Sequence, residues 1–199
     1  MSVADSYFDE LFQASDDPWA FKQRWYERRK RALTLAALPR ERYSAIFEPG
    51  CANGELSADL ATRCDSLLAC DTCLPAVELA RERLSSFGHT RVIQARLPQQ
   101  WPDERFDLIV LSELGYYLDE ADLNQWIDRA LASLTADGQL LACHWRPAIE
   151  GCPLDAERVH AILQDRLNMP RLFSHQEPDF LLEIWSRDGE SVAEKERLR

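Results

Sequence analysis

A doubly wound α/β sheet, preceded by an N-terminal helical segment, is the fold class this sequence predicts. Three observations support it. From Tyr43 onward, short apolar runs of strand length alternate with longer segments of helical periodicity, the order of a parallel sheet wound by crossover helices. The first run ends in a tight small-residue turn, Glu48-Pro49-Gly50-Cys51-Ala52-Asn53-Gly54, that leads straight into a helix. The residues able to do chemistry fall at the C-terminal ends of the predicted strands, where open α/β sheets bind ligands.

Taken in order, Tyr7-Phe8 and Leu11-Phe12, then Trp19, Phe21, Trp25 and Tyr26, lie on helical segments broken near Asp16-Asp17-Pro18. Asp17-Pro18 reads as the N-cap and first position of a helix running towards Leu38-Pro39. Residues 1–40 thus form a helical lid, 41–187 the α/β core and 188–199 a charged, frayed tail, all within one domain. The first strand is 43–48 and the following helix 54–63. Strand two, 66–71, ends on an acid; the next helix, 74–85, tolerates Pro75 in its first turn. Strand three is 90–95. Strand four, 106–112, is a continuous apolar run, as expected of a strand covered on both faces. Asp119 or Asp122 caps a helix reaching Leu134, and Asp137-Gly138 turns the chain into strand five, 139–144. A helix over 155–167 and an antiparallel pair, 172–175 with 180–185, close the domain.

Composition narrows the function. At 199 residues and 46% hydrophobic, the chain can bury a sizeable core, which excludes disorder as its main state. A net charge of −11 argues against a nucleic-acid binder and suits a cationic cofactor or an amine-bearing substrate. No apolar run approaches a membrane span, and the first residues do not read as a signal peptide, so a cytoplasmic protein is expected; a monomer or weak homodimer is the working expectation, with no residue pattern that decides it. Cys70 and Cys73 have C-x-x-C spacing, but no second pair and no spaced histidines accompany them. Six reduced, packed cysteines and no metal are expected.

The glycine turn places small residues at 50, 52 and 54. A dinucleotide site would want its third small residue at 55, where Glu55 would instead repel a pyrophosphate. The G-x-A-x-G spacing after Glu48 resembles motif I of class I S-adenosylmethionine (SAM) methyltransferases, whose Rossmann-like domain carries a seven-stranded sheet. That resemblance implies that Glu48, Gly50, Cys51, Ala52 and Gly54 hold the cofactor. Asp71, 17 residues after Gly54 at the tip of strand two, can accept hydrogen bonds from ribose hydroxyls; it also suits a helix N-terminus. Thr72 and Leu97 are placed to line the adenine. Arg96 stands where many class I enzymes carry an adenine-binding Asp, and a guanidinium cannot accept that hydrogen bond.

Ser112-Glu113-Leu114-Gly115-Tyr116-Tyr117 follows strand four, beside the expected position of the reactive methyl. An amine acceptor must shed a proton, and either Glu113 or His144 is chemically able to take it. Each also has a structural reading, as a salt-bridged acid or a satisfied buried histidine. Tyr117 belongs either to the core or against the sulfonium. In the lid, Trp19 and one of Arg24, Arg28 and Arg29 can reach the cofactor's amino-acid end, with Arg24 the residue assigned.

Over residues 7–186 the chain resembles the NodS-like family of SAM-dependent methyltransferases. The resemblance lies in Asp17-Pro18-Trp19, Trp25-Tyr26-Glu27, Glu48-Pro49-Gly50, the run from Phe106 to Glu113, Tyr116-Tyr117-Leu118 and Cys143-His144-Trp145-Arg146. It implies N-methylation of a small amine, such as the deacetylated amino sugar at the end of an oligosaccharide. S-adenosylhomocysteine (SAH) would be the product. O-methylation of another small molecule and a non-catalytic SAM-binding regulator stand as alternatives.

Overall fold

The computed structural model describes residues 1–198. Helices α1 (Asp5–Ala14) and α2 (Trp25–Ala37) precede β1 (Tyr43–Pro49), α3 (Glu55–Ala61), β2 (Cys64–Asp71), α4 (Leu74–Arg83) and β3 (Thr90–Gln94). Then follow β4 (Phe106–Ser112), a 3-10 turn (Gly115–Tyr117), α5 (Glu120–Ser133), β5 (Leu134–Trp145), α6 (Ala156–Leu167), β6 (Arg171–Gln176), β7 (Phe180–Ser186) and α7 (Val192–Lys195). The seven strands form one sheet in the order β3-β2-β1-β4-β5-β7-β6, with β7 antiparallel to both neighbours. Strand order reverses between β1 and β4, which opens a crevice at their C-terminal ends. No helix among the described residues is long and apolar enough to cross a membrane.

Side chains alternate across a strand, so each core strand feeds two apolar layers. Phe47, Ile109 and Leu111 pack with Leu123 and Trp126 of α5 and Leu163 of α6. Their neighbours Ile46, Leu108 and Val110 point the other way, to Ala58 and Leu60 of α3 and Val77 and Ala80 of α4. All of these strand residues are fully buried, each contributing about 1.5–3 kcal/mol of transfer free energy. This double cover explains why β4 is a continuous apolar run.

Three expected elements differ. The helix expected from Asp17 does not form until Trp25. The Asp17 carboxylate instead accepts the backbone N–H groups of Phe21 and Lys22, and Ala20 adopts a left-handed φ of 59°, which stops helical propagation. Strand β5 starts at Leu134 and runs through Asp137-Gly138. A register shift against β4 absorbs the extra residues, so the expected turn is a bulge within the strand. The tail carries a short helix, α7, closed by a Ser191–Glu194 capping box, and Lys195 bonds Asp188 at 2.6 Å. For α5, the cap is Asp119, whose carboxylate accepts Asp122 N–H.

Candidate active site

The glycine turn closes β1 onto β2. Gly50, Ala52 and Gly54 take positive φ values of 71°, 49° and 78°, which aim consecutive amides back at the sheet. Gly50 and Cys51 N–H both donate to Cys70 C=O, at 2.8 and 3.0 Å. Asp71 completes the loop: its carboxylate accepts Ala52 N–H at 2.9 Å and Cys73 N–H at 3.0 Å. Burial raises its pKa, while those amides oppose the shift. A Cβ on Gly54 would lie 3.0 Å from Ala80 Cα, so this glycine serves the packing of the turn on α4.

A cleft of about 550 Å³ opens over the turn, at the β1/β4 switch point. Of the residues expected to hold a cofactor, Trp19, Arg24, Gly50, Ala52, Asp71, Thr72, Leu97 and Ser112 border it. Glu48, Cys51 and Gly54 do not; they sit behind the turn, where they shape it. Arg96 borders the rim too, in an ion pair with Asp5, another lining residue, at 2.9 Å.

Glu48 is fully enclosed and one of its oxygens has no partner, so burial pushes its pKa up to about 8. A carboxyl whose folded pKa exceeds its unfolded one holds its proton more tightly in the native state. Its contribution is complete below the unfolded pKa and is lost as pH rises towards 8. Glu48→Gln is therefore expected to raise the melting temperature at pH 8 and to change it little at pH 5. An equal effect at both pH values in a thermal-melt series would refute this ionisation.

The N-terminal segment forms the outer wall. Phe12 of α1 packs on Cys73 and Ala76, and Phe8 meets Tyr117 edge-on at 4.9 Å. Asn53 of the glycine turn donates to Asp17 at 3.0 Å, which fastens residues 15–24 over the cleft. There Trp19 stacks on Phe21 at 5.4 Å. Of the three arginines left open, Arg28 bonds Gln23 C=O and lies over Trp25, and Arg29 forms a bidentate pair with Glu177. Arg24 alone of the three borders the cleft, and no ion pair engages it among the described residues.

At the end of β4 the backbone makes a strained step: Glu113 has a φ of 54°. Its carboxylate is a hub. Oε1 accepts Lys30 Nζ at 2.6 Å; Oε2 accepts Tyr116 OH at 2.6 Å and Trp145 N–H at 2.9 Å. With three donors on two oxygens, the side chain ties α2, the 3-10 turn and β5 together. Lys30 also pairs with Glu27 at 3.1 Å. Burial works against the ammonium, but Glu113, Cys143 and Glu27 more than offset it, so its pKa is raised and it stays charged.

His144 lies outside the cleft and is completely buried. Gly115 N–H donates to its Nε2 at 3.1 Å, which assigns the ring proton to Nδ1. That nitrogen faces His160 Nε2 at 3.0 Å, and His160 Nδ1 meets Glu183 at 2.7 Å. Burial, then His160 and Lys30, hold the His144 pKa well below the usual range. A neutral, fully bonded imidazole cannot take a proton from the cleft, which corrects that expectation. Its work is to anchor the 3-10 turn. Gly115 is required there, because a Cβ would fall 2.9 Å from His144 Nε2 and 2.6 Å from Val159 Cγ1. Tyr117 borders the cleft with its hydroxyl pKa raised by burial.

Sequence reasoning missed Glu27 and Lys30 as site residues. Their signal was present: Glu27, Lys30 and Thr34 are polar, fall at i, i+3 and i+7, and are all buried. Polar residues on an inward helical stripe need a partner, which the hub provides.

The strand order, the glycine turn at the switch point and the acid ending β2 define a class I SAM-dependent methyltransferase. The family model described as Nodulation protein S (NodS) matches residues 8–172, and the chain belongs to that family. Nodulation protein S of Rhizobium tropici is 32% identical over 159 residues, covering 77% of this chain and 67% of that protein. N-methyltransferase NodS from Bradyrhizobium japonicum WM9, solved with SAH, superposes with a TM-score of 0.82 at 27% identity, covering 91% and 96% of the two chains. A candidate methyltransferase from Pseudomonas syringae is 71% identical with a TM-score of 0.76, covering 82% of this chain and 100% of that one.

The donor set fits SAM. Uncommitted Arg24 suits a carboxylate, Asp71 suits a diol, and apolar Leu97 beside Thr72 suits a purine.

Proposed function

We propose that this protein methylates the nitrogen of a small amine, such as a deacetylated amino sugar or oligosaccharide. One observation carries the reading: where the cleft meets β4 and β5, its wall sets three carboxylates, Glu27, Glu113 and Asp179, against the single ammonium of Lys30, beside the rings of Tyr26 and Trp145. Carboxylates attract an ammonium, and indole and phenol faces accept the apolar face of a sugar or a cationic group. The N-methyltransferase NodS named above supports nitrogen over oxygen as the acceptor.

On this reading Asp71 binds the cofactor ribose, Thr72 and Leu97 flank adenine, and the Gly50 and Ala52 backbone lets the ligand approach. Trp19 and Arg24 hold the amino-acid end, and residues 1–40 serve as the lid. The cofactor supplies an electrophilic sulfonium methyl. The protein's part is orientation: Ser112 and the rigid Glu113 hub place the acceptor, while the Phe8–Tyr117 contact excludes water.

The test offers SAM with deacetylated glucosamine oligomers and with their N-acetylated forms, following SAH release and product mass. The expected result is one added methyl, on nitrogen, for the deacetylated oligomers only. Equal methylation of the acetylated forms, or a methyl on oxygen, would overturn the reading.

A further inference from the structure

We propose that Glu27, in the first turn of α2, is the group that takes the proton from the acceptor amine. This rests on the reading that the acceptor is an amine.

Comparison of the acids and other titratable groups bordering the cleft singles it out. Both oxygens of Glu113 are engaged by Lys30, Tyr116 and Trp145. Asp71 is bound to the glycine turn, Asp5 is paired with Arg96, and Asp122 accepts Ser2 Oγ at 2.5 Å. Asp179 is exposed, where water competes for the proton. Tyr26 and Tyr117 keep their phenol protons, because burial raises both. Glu27 is different. It is buried yet borders the cleft, and its one ion pair reaches Oε2 only, from Lys30 at 3.1 Å. Among the described residues, no hydrogen bond or ion pair engages Oε1.

Its position suits the chemistry. One ammonium, Lys30, touches both Glu27 and Glu113, so Glu27 stands a single side chain away from the end of β4. Beside it the Tyr26 hydroxyl is buried without a partner, on the ring that meets Trp145 edge-on at 5.4 Å. The groups facing Glu27 are Lys30, Arg31 and Tyr26 from α2, Glu113 after β4, and Cys143 from β5. Burial raises its pKa and Lys30 restrains the shift, which leaves a carboxylate more basic than an exposed one.

The step balances simply. The substrate ammonium gives one proton to Glu27, leaving a neutral amine and a carboxylic acid. The nitrogen lone pair then forms the new N–CH3 bond as the former C–S pair returns to sulfur, giving a thioether and a secondary ammonium. Glu27 passes its proton to water through the cleft mouth.

The experiment compares wild type, Glu27→Gln and Glu27→Asp, with Glu113→Gln as a control, using a deacetylated glucosamine oligomer. For Glu27→Gln, kcat at pH 7 is expected to fall about a hundredfold, the scale of general-base catalysis. The loss should shrink as pH rises through the oligomer's own amine pKa, and Glu27→Asp should recover part of the rate. Calorimetry of oligomer binding to the SAH-loaded protein, in buffers of different ionisation enthalpy, should show that Glu27→Gln changes the number of protons exchanged. SAH affinity should stay unchanged, separating proton transfer from misfolding. A Glu27→Gln loss that is equal at every pH, or a wild-type pH profile and proton count in that variant, would overturn the assignment. A wild type that methylates no amine would overturn the amine reading itself, and this assignment with it.

Discussion

Lys30→Met is expected to destabilise the fold by about 3–5 kcal/mol, the cost of breaking a buried ion pair from one side. Lys30 is the cation between Glu27 and Glu113, and all three side chains are largely enclosed, at 8%, 10% and 19% exposure. Without it, two carboxylates share a dry site. Burial already raises the Glu27 pKa, and the ammonium that opposes the shift is gone, so the native state then binds its proton more tightly. Stability of the variant should therefore be greatest below the unfolded carboxyl pKa and decline as pH rises towards neutrality. Urea unfolding at pH 5 and pH 7.5 measures this. The double variant Lys30→Met, Glu113→Gln should recover part of the loss, because it removes one stranded charge. A loss below about 1 kcal/mol at both pH values, the range of an exposed pair, would show that water reaches the network freely.

Asp71→Ala is expected to weaken SAH binding by about 1–3 kcal/mol, roughly five- to 150-fold in Kd. Two effects act together. The ribose hydroxyls lose their proposed acceptor, and the Ala52 and Cys73 amides lose the carboxylate that holds the glycine turn in shape. Asp71→Asn separates them: its amide oxygen can still accept, so the turn should survive better than in the alanine variant. Calorimetry with SAH reads both. Unchanged affinity in Asp71→Ala would remove Asp71 from the binding site.

Much of the site was legible because its main parts are local. Gly50, Ala52 and Gly54 stand within five residues, and a turn with positive φ at each needs small side chains whatever surrounds it. Asp71 stood out as an acid at a strand tip, and the structure adds its bonds to the Ala52 and Cys73 amides, which place it both against the glycine turn and at the start of α4. Glu113 was recognised as important but with its alternatives open. Its saturation depends on Lys30, 83 residues away, and on Trp145, 32 residues away, and no spacing rule links such partners. His144 posed the same difficulty. Whether an imidazole faces a cleft or a relay to His160 and Glu183 is set by how α6 and β7 close over it. The helix expected from Asp17 failed for a local reason, since a capping aspartate serves a single turn as well as a long helix.

The alternation of apolar runs determined the layers and the crevice of this protein, since burying two faces of a parallel sheet allows few other arrangements. Residue types alone also marked the glycine turn, whose shape is set by short-range backbone geometry. The acceptor end was decided by assembly. There α2, the turn after β4, and β5 meet, and each charge takes its surroundings from the partner that reaches it: Lys30 pairs with Glu113 Oε1 and with Oε2 of Glu27. Electrostatics in a dry site acts over a few ångströms in space and is blind to distance along the chain.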